Sequence, residues 1–243
     1  MPILRIGSDL HYFAHVPKCA GSSVKRYLSD RFGAMALTDM DFSAQPEARR
    51  WSRTSPDHID WASLTRMVPP SWFASVFSIT RHPVARVVSA YHFQQEVEKS
   101  VPAGVAFDDW LAGGLSLMAS EPFVYDNHLR PQVDFIPSDA VTFPVEGGLA
   151  PLIAHLDVLA GNSDGPRAVE GRNVRAAREA TVKAVPSKAS LDLIARAYAE
   201  DFARFGYHID RPLPDGVAEE VEAPIQTRSL AERVARRLKG LVS

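Results

Sequence analysis

The feature that most constrains this chain is an apolar run, Tyr12-Phe13-Ala14, that feeds directly into His15-Val16-Pro17-Lys18-Cys19-Ala20-Gly21-Ser22-Ser23. The pattern predicts a buried strand ending in a turn that opens a helix. A turn with Gly and two hydroxyl residues lets several backbone N–H groups converge on an anion, and the helix adds the positive end of its dipole. Lys18 supplies a full charge at the same place. In the nucleoside-triphosphate loop G-x-x-x-x-G-K-[ST], the lysine follows the glycine and the next hydroxyl binds magnesium. Here Lys18 comes three residues before Gly21, and no Lys-Ser or Lys-Thr pair follows. An ordinary kinase or GTPase loop loses most of its support.

A second strand-to-helix passage follows downstream. Ala74-Ser75-Val76-Phe77-Ser78-Ile79-Thr80 reads as a short buried strand, and Arg81-His82-Pro83-Val84-Ala85-Arg86-Val87-Val88-Ser89-Ala90-Tyr91 as its exit into a helix. Pro83 suits the first helical position, where its missing N–H costs nothing. Val84, Val87, Val88 and Tyr91 then recur at helical spacing on one face. Arg81 therefore falls at the carboxyl end of a strand, where open α/β sheets bind ligands. Ser89 falls about two turns into the helix.

The order P-K-x-x-G-[ST]-S resembles the 5′-phosphosulfate loop of sulfotransferases that use 3′-phosphoadenosine 5′-phosphosulfate (PAPS), above all the carbohydrate O-sulfotransferases. The run R-x-P-x-x-R-x-x-S-x-Y resembles their 3′-phosphate motif. Two departures stand out: Cys19-Ala20 occupy the usual Thr-Gly positions, and His82 replaces a usual acidic residue. The resemblance implies PAPS as donor cosubstrate. It implies Lys18, Cys19, Ala20, Gly21, Ser22 and Ser23 around the 5′-phosphosulfate, and Arg81 with Ser89 on the 3′-phosphate. Arg offers a forked permanent cation and Ser one hydroxyl donor. Arg86 reads as a helix-surface or supporting cation.

Sulfuryl transfer to a hydroxyl needs a base, and histidine titrates in the useful range. Between the two motifs, 45–56 reads as a polar loop and Asp57-His58-Ile59-Asp60-Trp61 as the start of a short helix; the glycosaminoglycan sulfotransferases that the chain resembles carry a catalytic histidine at about the distance of His58 before the second motif. His128 is the rival. It lies in Tyr125-Asp126-Asn127-His128-Leu129-Arg130-Pro131-Gln132, which resembles the family's H-W-x-P-Q stretch with Leu129 replacing Trp. His128, Arg130 and Gln132 are either contacts for an acidic sugar or helix-cap and surface residues. His15 reads as a packed strand histidine.

Length and composition fit one such domain. With 243 residues, 46% of them hydrophobic, the chain can bury a substantial core. Its strand-helix alternation predicts an α/β, three-layer P-loop-like fold, a central parallel sheet flanked by helices. Further elements are a strand over 141–146, a helix over 149–159 with Leu152, Leu156 and Leu159 on one stripe, and one helix over 190–205 stopped by Gly206. Between them, 162–173 reads as a mobile loop whose Gly171-Arg172-Asn173 falls where relatives place a nucleotide-contacting segment. The form Y-x-x-D-x-x-x-F-G-Y, Tyr198 through Tyr207, resembles the family's closing helix, so the resemblance spans 11–208. Domain boundaries are set at 1–210 for the sulfotransferase-like unit, and at 211–243 for a linker and a basic amphipathic helix over 229–242. That helix suits an anionic membrane or polymer, or a dimer partner.

A net charge of −2 gives no global attraction to nucleic acid. A single cysteine excludes an internal disulfide, and no Cys/His spacing suggests structural zinc. With no charged leader or apolar span, the expectation is a cytoplasmic protein. The resulting expectation is a PAPS-dependent O-sulfotransferase acting without a metal on a hydroxyl-bearing, carbohydrate acceptor. Two other classes stay open: an ATP-dependent kinase-like phosphotransferase, and a non-catalytic nucleotide- or anion-binding module.

Overall fold

A computed structural model describes residues 2–39, 41–171, 184–212 and 214 of the chain. Four strands form one sheet in the order β1 (Ile3–Ile6), β2 (Asp9–Ala14), β3 (Phe73–Thr80) and β4 (Val141–Pro144). β2, β3 and β4 run parallel, whereas β1 is an antiparallel edge joined to β2 through Gly7 and Ser8. The parallel sheet expected from sequence therefore carries one hairpin strand that the motifs did not announce. Gly7 has φ 61°, the left-handed value such a tight connection requires.

Parallel neighbours need a crossover, and the first is α1 (Gly21–Phe32) with the loop and α2 (Trp61–Thr65) beyond it. The next is α3 (Pro83–Glu96) followed by α4 (Phe107–Met118), and α5 (Ala150–Ala160) follows β4. Register places Ala14 beside Ser78 and Thr80 beside Pro144, so the carboxyl ends of the parallel strands lie along one edge. The loops after β2 and β3 leave from this edge.

Continuous buried runs, residues 11–14 of β2 and 77–80 of β3, place the sheet's inner strands in the core, as for parallel strands covered on both faces. Tyr12, Phe13, Phe77 and Ile79 pack with Val24 and Leu28 of α1 and with Leu152 and Leu156 of α5. A second cluster joins Val87, Val88 and Tyr91 of α3 to Trp110 and Leu111 of α4 and to Ile194 and Tyr198. Each buried side chain of this size contributes about 1.5–3 kcal/mol.

The helix expected over 190–205 is two: α6 (Lys188–Ala197) and α7 (Ala199–Phe205), broken at Tyr198, with φ −118° and ψ 27°. Tertiary bonds outweigh continuity there. The Tyr198 hydroxyl donates to the Leu129 carbonyl at 2.6 Å, and Asp201 accepts from the N–H groups of Gln132 and Val133 at 2.9 Å each. Gly206 ends α7 with φ 70°, as its position predicts.

The described part of the loop after α5 is tied down rather than loose. Tyr27 donates to the Pro166 carbonyl, and Asp157 pairs with both Arg31 and Arg167. Arg172, Asn173 and the basic helix assigned to 229–242 lie outside the described residues. Among those described, no helix is long and apolar enough to cross a membrane.

Candidate active site

The turn after β2 has the backbone of an anion cradle. Lys18 and Ala20 both adopt left-handed conformations, φ 67° and 61°, alternating with Cys19 so that the chain bends sharply into α1. Ala20 is the N-cap of that helix and makes no side-chain cap, so its side chain takes none of the first-turn N–H groups. Gly21 is required for a different reason: a Cβ there would lie 1.8 Å from the His15 ring. Cys19 points inward, its thiol donating to Gln132 Oε1 at 3.4 Å, and burial pushes its pKa up to about 12. It is an inert core residue that contributes only backbone to the turn.

The Lys18 ammonium sits over the Phe93 ring, 3.7 Å from its centroid. Burial, with the nearby Arg81 guanidinium second, lowers its pKa to about 8. At neutral pH it remains mostly charged with little water to screen it, the condition under which a cation acts most strongly on developing negative charge.

Arg81 leaves the end of β3 and reaches back to the first turn, its guanidinium donating to the Lys18 carbonyl at 3.1 Å. Its backbone is clamped by Gln132, which accepts from the Arg81 N–H at 2.9 Å and donates to the Arg81 carbonyl at 2.9 Å. One side chain thus joins both loops, since the same Gln132 oxygen holds Cys19. His82 caps α3: its Nδ1 accepts from the Val84 N–H at 3.2 Å while its Nε2–H donates to the His208 carbonyl at 2.8 Å. A neutral imidazole therefore does a carboxylate's capping work. Ser89 is half-buried on α3.

Arg86 is not at the helix surface. It is fully buried, donates to the carbonyls of His128 and Arg130 at 3.1 and 2.8 Å, and faces the Tyr198 ring. It holds the turn that carries His128.

His58 and His128 come together. Their ring centroids are 4.9 Å apart, and His15 lies 5.0 Å from His58 on the other side. The Nδ1–H of His58 donates to Asp126 Oδ2 at 2.6 Å, and Asp126 also accepts from the Ser55 N–H and hydroxyl at 2.7 and 2.8 Å. His128 donates its Nδ1–H to the Tyr125 carbonyl at 2.6 Å and stacks on Phe93, the ring beneath Lys18. A continuous row therefore runs His15, His58, His128, Phe93, Lys18. Burial first, then the His58 charge, pushes the His128 pKa far down, and burial does the same to His15. Both stay neutral near pH 7. Burial alone would raise the Asp126 carboxyl, but His58 beside it outweighs that and holds it ionised, below its ordinary value.

Reach separates the two candidate bases. His128 is 2% exposed, whereas the His58 side chain keeps 15% of its surface open. Arg130 is paired with Asp60 and Asp134, and Gln132 is fully buried in its clamp. Gln132 is thus neither a helix cap nor a surface residue, and its polar atoms are taken by the Arg81 backbone and the Cys19 thiol, away from any acceptor. One potential ligand atom each from His58, Asp126 and His128 fall within 4.8 Å of one another, a donor set that also suits a first-row divalent ion. Binding one through His58 Nδ1 would displace the proton shared with Asp126.

Sequence reasoning passed over Asp126 and Ser55 as working parts, and offered Gln132 as an acceptor contact or a surface residue but not as a clamp. Their partners lie 51 to 113 positions away, beyond the reach of any local motif. Searches of curated proteins and of solved structures return no match. The family model described as "Sulfotransferase family" matches residues 8–208, from the first turn through the carboxyl end of the last helix pair. That span includes both strand-to-helix turns and all three histidines of the row, and the chain belongs to the sulfotransferase family.

Proposed function

We propose that this protein transfers a sulfuryl group from PAPS to a hydroxyl of a carbohydrate. The observation that carries this reading is the approach of two cationic strand ends, Arg81 donating to the Lys18 carbonyl at 3.1 Å, beside a histidine row whose middle member, His58, is partly open. The donor set fits a doubly anionic nucleotide. Lys18 and the N–H groups that open α1 suit the 5′-phosphosulfate, and Arg81 with Ser89 suits the 3′-phosphate. The donor brings the activated sulfuryl group and the leaving phosphate.

The chain's own residues do the rest. Lys18 and the helix N-terminus offer fixed positive charge where the leaving oxygen gains negative charge, so little reorganisation is needed as the reaction proceeds. Arg81 fixes the far end of the nucleotide and so orients the near end. His58 accepts the acceptor's proton through Nε2, its Nδ1 being engaged with Asp126. His128 packs the floor of the site, with its one ring proton, on Nδ1, committed to the Tyr125 carbonyl.

Calorimetry with PAP, the desulfated donor, against ATP and ATP-magnesium tests donor choice. PAP carries the 3′-phosphate that Arg81 would read, so it should bind and ATP should bind far more weakly. Preference for ATP-magnesium would replace this reading by the kinase-like one. Transfer of labelled sulfate from PAPS to a glycan panel tests the acceptor: label should appear on hydroxyl-bearing glycans, and PAP binding without transfer to any acceptor would leave an anion-binding module.

A further inference from the structure

We infer that Asp126 is a positioning residue that sets the working state of His58: it holds the imidazole with the proton on Nδ1 and the Nε2 lone pair directed at the acceptor hydroxyl. This inference rests on the sulfuryl-transfer reading for its consequence, but its structural content stands apart from it.

Three observations carry it. Asp126 Oδ2 receives the His58 Nδ1–H at 2.6 Å, within the range of a short charge-assisted bond. The carboxylate is itself fixed by the Ser55 N–H and hydroxyl, and the Asn127 amide donates to the His58 carbonyl at 2.8 Å, so the two segments grip each other at four points. The backbone that delivers Asp126 is strained: Tyr125, Asp126 and Asn127 have φ 52°, 53° and 62°, three consecutive left-handed residues without a glycine. Such residues are disfavoured by about 1–2 kcal/mol each, and they persist only where surrounding bonds over-determine the conformation.

The consequence is directional. An imidazole that donates from Nδ1 to a carboxylate presents a basic Nε2, and as it takes the acceptor's proton the carboxylate stabilises the resulting cation. The acceptor oxygen bonds to sulfur as the bond from sulfur to the 5′-phosphate oxygen of PAPS breaks and PAP leaves with that electron pair; the acceptor O–H bond breaks and its proton ends on Nε2. The other charged or titratable groups around the ring are His15 from the end of β2, His128 across the row, and the Lys25–Asp57 pair, in which Lys25 comes from α1. Of these, only Asp126 is bonded to a ring nitrogen of His58.

Asp126→Asn is the decisive variant. The Ser55 N–H needs an oxygen, so the amide NH2 replaces Oδ2 and donates to His58 Nδ1, moving the ring proton to Nε2 and removing the base. Long-range ¹H–¹⁵N spectra of histidine-labelled protein read the tautomer with no donor or acceptor present. The wild type should show Nδ1–H at His58 and the variant Nε2–H. Equal tautomers in the two proteins would overturn the inference. In turnover, Asp126→Asn should lower kcat on the order of a hundredfold or more, as for a lost general base. PAP affinity and the unfolding midpoint should stay within twofold and about 3 °C. Combining it with His58→Ala should add little, because both changes disable one unit. Wild-type kcat in the variant would also overturn the inference. If no glycan accepts label from the wild type, that failure falls on the sulfuryl-transfer reading, while the tautomer result still decides the role of Asp126.

Discussion

The two sides proposed for the site, a donor side and a base side, are built in different ways. The donor side consists of two short continuous stretches, 15–23 and 81–89, each a strand end running into a helix, with the chemistry held in a few consecutive residues. The base side is assembled across the chain: His58 is bonded to Asp126, 68 positions away, and Asp126 to Ser55, 71 positions away. A turn of the donor kind is specified by local dihedral preferences and by a helix start. A pair of the base kind exists only once packing has brought two loops together. Damage to the donor side should therefore appear as lost charge stabilisation or lost nucleotide affinity, with the histidine row intact.

The largest effect expected on the donor side is that of Lys18→Met. Removing a preorganised charge of this type lowers kcat by about 10²–10³-fold, measurable by initial rates of label transfer. The His58 tautomer should not change. A loss confined to acceptor KM would break the comparison, because it would place Lys18 on the wrong side. The pH dependence sharpens the point. Lys18 acts only when protonated, and its pKa in the free protein is lowered to about 8, so kcat/KM should fall as pH rises through that value. A bound dianion favours the ammonium, so the same limb in kcat should move to higher pH. Coincident limbs would argue that the lysine does not face the donor.

Next in size is Arg81→Ala. Losing charged hydrogen bonds to a phosphate costs about 1.5–3 kcal/mol, roughly ten- to a hundredfold in PAP affinity by calorimetry. The affinity of adenosine 5′-phosphosulfate, which lacks the 3′-phosphate, should fall much less. Equal losses for the two nucleotides would remove Arg81 from the 3′-phosphate.

The same contrast explains what was legible in the sequence. The strand and helix around each motif, Pro83 at the helix start and Gly206 at a helix end all follow from local preferences, and all are found. The break at Tyr198 was not legible, because the 3.6-residue spacing continues through it and only bonds to Leu129, Gln132 and Val133 impose the bend. Arg86 was left between the helix surface and a supporting place for a related reason. Its helix position is compatible with solvent, and the carbonyls of His128 and Arg130 that draw it inward come from a segment over 40 residues later. His58 could be named but not chosen over His128, since the choice rests on Asp126 and on exposure, which no spacing encodes.

Gln132 crosses the divide, a long-range residue serving the donor side. Gln132→Ala leaves the Arg81 N–H and carbonyl without their partners in a buried place, at about 1–3 kcal/mol for each unsatisfied group. The unfolding midpoint should drop by roughly 4–10 °C, and PAP binding should weaken with it as Arg81 loses its anchor. An unchanged midpoint with weakened PAP binding would mean that the clamp orients Arg81 without stabilising the fold.

The smallest effect expected, and the most local, is that of Ala20→Gly. Ala20 holds φ 61°, a conformation that costs an L-residue about 1–2 kcal/mol and that glycine adopts freely. Glycine relieves that strain but adds roughly 0.4–1 kcal/mol of backbone entropy to the unfolded chain. The net change should be a gain below about 1.5 kcal/mol, a rise in unfolding midpoint of a few degrees. PAP affinity should stay level, because the turn's N–H groups keep their directions and Ala20 offers no side-chain bond to lose. A lower midpoint would mean that the Ala20 methyl makes a packing contribution larger than the strain. A sharp loss of affinity would mean that strain in the turn, and not its backbone geometry alone, keeps the anion cradle open; the donor side would then depend on stored tension, as the left-handed run before His128 suggests for the base side.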